Sequence, residues 1–268
     1  MKKSDLLTYY QAQKVDRERM YTKPFRRYQQ RRRLETVRAL ARQARGAGRR
    51  DLILDVGCGD GYGSAVILDG VDYAQFIGLD LSIDKLRTAR RGLHHSHMVM
   101  GDAEELPFAN AAVDVAFSLE TLEHLPDPGG ALREIARVLR PGGVLFLSVP
   151  VSSTLNAVLA GWWMRFRRGG RFREHLQVYT LKRLMTLLRS TGLQSREHRF
   201  CVFNYPCYEI LTRVISYRLW RRLDQTLSRL PFGTLGAKLG LSLALGNDYL
   251  VVKAEKIAND GRRTTSLI

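Results

Sequence analysis

Short apolar runs and longer amphipathic stretches alternate along residues 51–150. The runs predict buried strands at Leu52–Val56, Gln75–Asp80, Met98–Met100, Val113–Ser118 and Val144–Val149, and the stretches between them predict helices at Tyr62–Leu68, Ile83–Arg91 and Pro128–Leu139. Strands that alternate with helices form a parallel sheet with helices on both faces. Ligands of such sheets bind where the strands end, so we expect the functional residues at the carboxyl edge.

Local polar residues indicate where these elements begin. Ser82, Asp127 and Thr180 each stand just before a helical pattern and predict N-caps, the last for a helix that ends near Gly192. Arg140–Gly143 contains Pro and two Gly residues and predicts the turn into the fifth strand.

A glycine-rich turn follows the first predicted strand. Gly57, Gly59, Gly61 and Gly63 occupy every second position before the next helix. Glycine lets the backbone approach a ligand closely and adopt positive φ angles. A strand, a glycine turn and a helix in this order predict a nucleotide-binding unit.

Four segments together resemble one known family. They are DVGCGDG (residues 55–61), GDAEELPF (101–108), VDVAFSLETLEHLPDP (113–128) and LRPGGVLFLSVP (139–150). In order and spacing they resemble the class I S-adenosylmethionine-dependent methyltransferases, in the small-molecule group that includes the ubiquinone-pathway enzymes. The resemblance is strong over 51–150 and moderate over 177–193. It implies a doubly wound, mostly parallel seven-stranded sheet of Rossmann-like type with S-adenosyl-L-methionine as cofactor.

The resemblance also implies roles for individual residues. Asp80 ends a strand about 20 positions after the glycine loop, where a carboxylate holds a ribose diol; the alternative is a cap for the next helix. Asp102 corresponds to the position that binds the adenine amino group, unless it only stabilises a turn. Asp55 would organise the loop and face the methionine ammonium. The other implied cofactor residues are Gly57, Cys58, Gly59, Gly61, Leu81, Ala103 and Ser118, of which Leu81 and Ala103 would flank the adenine.

A histidine after the fourth strand is the candidate catalytic residue. The methyl donor is already activated, so a general base is needed only for an acceptor that carries a proton, such as a hydroxyl. Histidine side chains in general titrate near neutrality. The resemblance places His124 at the strand end that faces the methyl group. The same stretch has a spacing that could ligate a cation, through Glu120, Glu123 and His124. Two glutamates that only orient neighbouring loops explain this spacing better, so no metal is predicted.

The flanking regions complete the predicted domain organisation. Residues 1–50 predict an N-terminal helical cap, residues 51–254 the methyltransferase domain, and residues 255–268 a tail. Strands at Ser195–Phe203 and Asp248–Ala254 would close the sheet as the antiparallel hairpin usual in the family. Insertions at 152–175 and 204–247 emerge on the cofactor side and predict a substrate lid.

One insertion has the composition of an interfacial helix. Ser153–Arg168 places Trp162, Trp163 and Phe166 on one apolar face, and a basic cluster extends to Arg173. Residues 153–173 therefore predict peripheral contact with the inner face of a membrane. A lid that packs on the second insertion explains the same pattern nearly as well.

Composition and charge narrow the expected cellular location and binding partners. Residues 1–50 contain 16 Lys or Arg and 4 Asp or Glu, residues 51–150 contain 7 and 15, and residues 151–268 contain 20 and 7. The three cysteines are sparse and have no metal spacing, and the start of the chain has no apolar signal-peptide core, so a cytoplasmic location is expected.

The basic flanks suit a phosphate-bearing partner. We predict a small-molecule or lipid-like acceptor. An RNA methyltransferase is the alternative, although SLETLEHLPDP lacks the motif typical of base N-methylation, so nucleic acid is not expected as a partner.

Overall fold

The computed structural model describes residues 24–44, 51–93, 96–151, 176–177, 179–201, 203–204, 219, 222, 246–247 and 249–257. Most of the predicted insertions, including 153–173, and most of the predicted tail lie outside these ranges. Within them, no helix is both long and apolar enough to span a bilayer.

A seven-stranded sheet forms the centre of the molecule and confirms the predicted fold class. Its strands are β1 (Leu52–Val56), β2 (Gln75–Asp80), β3 (Ser96–Met100), β4 (Val113–Leu119), β5 (Leu139–Pro150), β6 (Leu193–Phe200) and β9 (Tyr249–Lys256). Their order is β3-β2-β1-β4-β5-β9-β6. The pairs among β1 to β5 are parallel, and β9 is antiparallel to both β5 and β6. Two short strands, β7 (Phe203–Asn204) and β8 (Gly246–Asn247), pair separately.

Helices cover both faces of the sheet. The helices are α1 (Pro24–Ala44), α2 (Tyr62–Leu68), α3 (Ile83–Gly92), α4 (Pro128–Val138) and α5 (Leu181–Ser190). On one face, Leu34, Val37 and Leu40 of α1 join Ile67 of α2 in a core with Phe117 and Phe146. On the other face, α4 and α5 pack on the alternate residues of the same strands. This arrangement leaves the carboxyl ends of β1, β2 and β4 at one edge.

The three predicted helix caps are confirmed. Ser82, Asp127 and Thr180 each accept a hydrogen bond from a backbone N–H in the first turn of the following helix. These caps satisfy donors that have no partner inside the helix.

Several predicted strand boundaries were wrong. Arg140–Gly143 belongs to β5, which begins at Leu139 and continues through an irregularity opposite Val113–Val115. The strand predicted to end at Ala254, here β9, continues to Lys256, because Glu255 pairs with Val144 and the Lys256 ammonium donates to the carbonyl of Leu139 at 2.5 Å. β6 also ends earlier than predicted, at Phe200.

Candidate cofactor and acceptor site

The glycine loop after β1 adopts a conformation that only glycine enters easily. Gly57, Gly59 and Gly61 all have positive φ angles. A Cβ atom at Gly57 would collide with the side chain of Thr121, whereas a Cβ at Gly59 would meet no atom within 4 Å. Gly57 is therefore needed for packing, and Gly59 leaves open space beside the loop.

β2 holds this loop in place. The N–H groups of Gly57 and Cys58 donate to the carbonyl of Leu79 at 2.7 and 3.0 Å. The Gly59 N–H donates to one carboxylate oxygen of Asp80 at 2.9 Å, and the Ser82 N–H donates to the other at 2.9 Å. Asp80 thus positions the loop and begins the next helix. Each carboxylate oxygen keeps further acceptor capacity for a diol.

Asp55 is a buried carboxylate with one unused oxygen. Its side chain accepts a short hydrogen bond from the Ser64 hydroxyl through Oδ2. Its Oδ1 is buried and has no hydrogen-bond partner among the described residues. Burial raises the pKa of Asp55 to about 6, the neighbouring Asp80 adds to the effect, and the bond from Ser64 opposes it. A cation beside Oδ1 would satisfy both the charge and the unused oxygen.

Asp102 and Ala103, the two predicted adenine-side residues after β3, both have roles in the fold itself. Asp102 accepts a hydrogen bond from the Glu104 N–H at 2.9 Å, so this carboxylate also stabilises a turn. Ala103 is 6% exposed and packs in the core, so its methyl group offers little surface to a purine. Leu81, after β2, is half-buried and keeps accessible apolar surface.

The chain makes a tight turn where β4 ends. Glu120 has a φ angle of +56°, which is rare for a residue other than glycine. Thr121 donates to the carbonyls of Val56 and Leu119, and so connects this turn to the glycine loop. A short 3₁₀ helix, Leu122–His124, follows and carries His124, whose side chain is 25% exposed. Ser118 precedes the turn in β4 and is buried, with a hydroxyl that has no hydrogen-bond partner in the described part of the chain.

Helix α1 contributes a buried arginine to the same turn. The Arg33 guanidinium lies 2.8 Å from a carboxylate oxygen of Glu120 and 5.0 Å from the centre of the Tyr249 ring. Burial acts to lower the pKa of Arg33, but the pKa stays above its usual value because the negative charge of Glu120 and smaller contributions from other neighbours oppose it. An element from the start of the described chain therefore reaches the end of β4.

Glu123 lies fully buried in the 3₁₀ helix. One of its carboxyl oxygens is 4.0 Å from Nε2 of His124. Burial raises the pKa of Glu123 well above its usual range, and the nearby Glu120 adds to this, while Arg33 opposes it. Its backbone carbonyl accepts hydrogen bonds from the N–H groups of Leu176 and Gln177, which fix the turn against the segment before α5.

The structure brings most of the predicted site residues to one edge of the sheet. Asp55 and Asp80 lie within the last residues of β1 and β2. The end of each of the first four strands is followed by a predicted site residue or loop, in turn the glycine loop, Leu81, Asp102 and His124. Sequence reasoning missed Arg33 and Thr121. Arg33 lies four and seven positions before Val37 and Leu40 of the apolar face, which was a readable signal of burial. No such signal exists for Thr121. Within the described ranges, no three His, Cys, Asp or Glu side chains form a group that could hold a metal ion.

Comparison with known proteins identifies the part of the chain that forms this edge of the sheet. Residues 54–147 match the family model described as "Methyltransferase domain". Residues 54–147 form a methyltransferase domain. The match begins inside β1 and ends in β5, so the methyltransferase domain includes the glycine loop, Asp80, Asp102 and His124.

Curated relatives of the methyltransferase domain act on different small molecules. A 2-methyl-6-phytyl-1,4-hydroquinone methyltransferase from Oryza sativa is 36% identical over 129 residues, which cover 47% of this chain and 39% of the relative. A 27-O-demethylrifamycin SV methyltransferase from Amycolatopsis mediterranei is 35% identical over 154 residues, covering 54% of each chain. The chain thus spans about two fifths to one half of the length of these relatives.

A solved structure shows the same fold. Phosphoethanolamine N-methyltransferase 2 from Haemonchus contortus, in complex with S-adenosyl-L-methionine, superposes with a TM-score of 0.56 at 18% identity. The superposition covers 84% of this chain and 53% of that one.

The residues of the methyltransferase domain fit S-adenosylmethionine. Gly59 leaves open space beside the loop, and Asp55 presents a buried oxygen that lacks a partner. Both features suit a ligand with a cationic group and a polar backbone contact.

Proposed function

We propose that this chain transfers a methyl group from S-adenosylmethionine to a hydroxyl of a small or amphipathic, lipid- or quinone-like acceptor, with His124 as the general base. The unpartnered Asp55 oxygen beside an open glycine loop carries the proposal, because it offers a buried acceptor to a cation at the point where the family binds its cofactor.

Each cofactor-binding residue has a distinct task in this proposal. Asp55 would hold the ammonium group, Asp80 the ribose diol and Asp102 the adenine amino group. Leu81 would provide apolar contact for the purine. Gly59 gives the backbone room for close approach. When bound, S-adenosylmethionine supplies a methyl group that its sulfonium has already activated.

His124 has the chemistry and the location for proton removal. Alignment of the acceptor with the methyl group is the main task of such a site, and a hydroxyl must also lose a proton. The partly exposed His124 stands on the turn after β4, where the acceptor meets the methyl donor in this family. An imidazole that is neutral near pH 7 can accept that proton.

The relatives support the acceptor class. The rice enzyme is named for a hydroquinone that bears a phytyl chain, and the Amycolatopsis enzyme is named for a rifamycin. An amphipathic acceptor with a hydroxyl group agrees with both names and with the predicted apolar face on residues 153–168.

A methyl-transfer assay tests the proposal. The protein is incubated with S-adenosylmethionine carrying a labelled methyl group and with a lipid extract of the cells that express it, and labelled products are identified by mass spectrometry. We expect His124→Gln to lower turnover by about 100-fold or more while cofactor affinity is kept. His97→Gln, an exposed histidine on β3, serves as the control and should leave the rate unchanged. A wild-type protein that binds no S-adenosylmethionine would show the proposal to be wrong, and an unchanged rate in His124→Gln would remove the base role.

A further inference from the structure

The turn that carries Asp102 depends on its neighbour Glu104. The Glu104 N–H donates to the Asp102 carboxylate at 2.9 Å, and the Glu105 N–H donates to the Asp102 carbonyl at 3.1 Å. These two hydrogen bonds close a tight turn soon after the end of β3. The direction of the Asp102 carboxylate therefore depends on where Glu104 lies.

The side chain of Glu104 reaches from this turn to helix α4. Its Oε1 accepts a hydrogen bond from the Asp127 N–H at 2.9 Å, although the two residues are 23 positions apart. Asp127 is the N-cap of α4 and follows His124 by three positions. Glu104 thus joins the turn after β3 to the segment after β4.

Helix α4 also holds the later part of the same loop. The Arg137 guanidinium donates to the carbonyls of Leu106 and Phe108 at 2.9 and 2.7 Å. The Glu134 carboxylate accepts a hydrogen bond from the Leu106 N–H at 2.9 Å and pairs with Arg137 at 2.7 Å. These contacts lie at Leu106 and beyond, whereas Glu104 attaches the first part of the loop, which carries Asp102.

Asp102 lies where a ligand can reach it. The residue is half-buried and stands at the carboxyl edge of the sheet, as do Asp80 and the glycine loop. A hydrogen bond between a carboxylate and an amino group needs a short distance and a nearly straight N–H···O angle. A displaced turn would therefore weaken that bond before it disturbed the rest of the fold.

We propose that Glu104 is a positioning residue for recognition of the adenine base, because it fixes the turn in which Asp102 meets the adenine amino group. The proposal rests on the function proposed above, which assigns Asp102 to that group. Glu104 acts through Asp102 rather than through contact with the cofactor. Its loss should therefore reduce the selection of adenine, an effect that a general loss of stability does not produce.

Two cofactor analogues test the recognition of the base. S-adenosylhomocysteine and its deamino analogue differ in one group, since a hydrogen atom replaces the adenine amino group in the second. Calorimetry at pH 7.5 measures the affinity of the folded protein for each. We expect the wild type to prefer S-adenosylhomocysteine by about tenfold or more, and Glu104→Met to reduce this preference by about threefold or more, because the Asp127 contact is lost. A purely structural glutamate predicts a lower melting temperature with an unchanged preference, and that result would overturn the proposal.

Glu104→Gln and Glu105→Met are the matched variants. The amide oxygen of glutamine can still accept the hydrogen bond from the Asp127 N–H, so Glu104→Gln should keep most of the preference. Glu105 is an exposed residue of the same loop, and Glu105→Met makes a similar chemical change without removing the contact to Asp127. It should leave the preference at the wild-type value. Equal losses of preference in Glu104→Met and in either of these variants would contradict the proposal.

Binding by the wild type distinguishes the levels of failure. If the wild type does not bind S-adenosylhomocysteine, the proposed function is wrong. If it binds both analogues equally, Asp102 does not recognise the amino group, and the role of Glu104 fails with it. If it prefers S-adenosylhomocysteine and Glu104→Met keeps the full preference, only the role of Glu104 is wrong.

Discussion

Gly59 and Gly192 have similar surroundings but different locations. Both have positive φ angles, and a Cβ atom at either position would meet no atom within 4 Å. Gly59 lies in the loop after β1, whereas Gly192 lies between α5 and β6, away from that loop.

Gly59→Ala should therefore separate binding from folding. We expect a loss of stability of about 1–2 kcal/mol from the left-handed backbone, and a much larger loss of S-adenosylmethionine affinity because the methyl group enters the open space. Gly192→Ala should show the same loss of stability with unchanged affinity. Calorimetric binding and thermal unfolding measure the two effects, and equal affinities in the two variants would contradict the role of the loop.

Asp55 should make both stability and cofactor affinity depend on pH. Its pKa is raised from 3.8 to about 6 in the folded protein. The folded state therefore favours the protonated form. The stability that this provides is complete below pH 3.8 and is lost as the pH rises through 6, to an extent of about 3 kcal/mol.

Asp55→Asn should remove the loss of stability that ionisation of Asp55 causes. At pH 7.5 the cofactor-free variant should unfold at a higher temperature than the wild type, while its affinity for S-adenosylmethionine falls. Wild-type affinity should decrease as the pH falls below 6, because the ammonium then meets a neutral carboxyl group. Titration calorimetry between pH 5 and 8 checks this, and an affinity that does not change with pH in the wild type would exclude Asp55 as the ammonium partner.

At the scale of elements, helix α1 is coupled to the turn after β4 by the buried pair of Arg33 and Glu120. Arg33→Met removes the guanidinium that pairs with Glu120. We expect a loss of unfolding free energy of about 3 kcal/mol, the lower end for a broken buried pair, since Glu120 is partly exposed. Denaturant unfolding measures it.

Arg38→Met on the same helix is the control. Arg38 pairs with Asp69, whose side chain is 73% exposed, so we expect a change within about 1 kcal/mol. If both variants lost equal stability, α1 would contribute through packing alone and the ion pair would have no special part.

Elements with local signals were predictable from the sequence, and those that depend on distant contacts were not. The bounds of α2 match the prediction, because an apolar strand and a glycine turn precede it directly. Arg140–Gly143 reads as a turn, yet its pairing as part of β5 depends on β4 and β9. The site residues at strand ends followed from topology, whereas the contacts of Thr121 with Gly57 and of Arg33 with Glu120 join segments far apart in the chain.

The charge of the whole molecule favours anionic surfaces. Helix α1 alone contains seven arginines and one glutamate, and residues 151–268 add a further basic excess. Each Lys or Arg near an anionic membrane contributes about 1 kcal/mol to binding.

We therefore expect the protein to sediment with anionic vesicles at low salt. Trp162→Ala/Trp163→Ala should abolish sedimentation, because each aromatic side chain that inserts into the membrane contributes about 1.5–3 kcal/mol to the binding free energy. Neutral phosphatidylcholine vesicles are the control, and high salt should release the wild type. If the wild type stays in the supernatant with anionic vesicles, the segment 153–173 acts as a lid instead.

Strand β9 has a consequence for synthesis on the ribosome. It pairs with both β5 and β6, yet Tyr249–Lys256 is made after every other described strand. During translation, β5 and β6 therefore leave the exit tunnel before their shared neighbour exists. Unpaired strand edges readily join other chains. Until Tyr249–Lys256 is synthesised, we therefore expect the edges of β5 and β6 that later pair with β9 to be open to other chains.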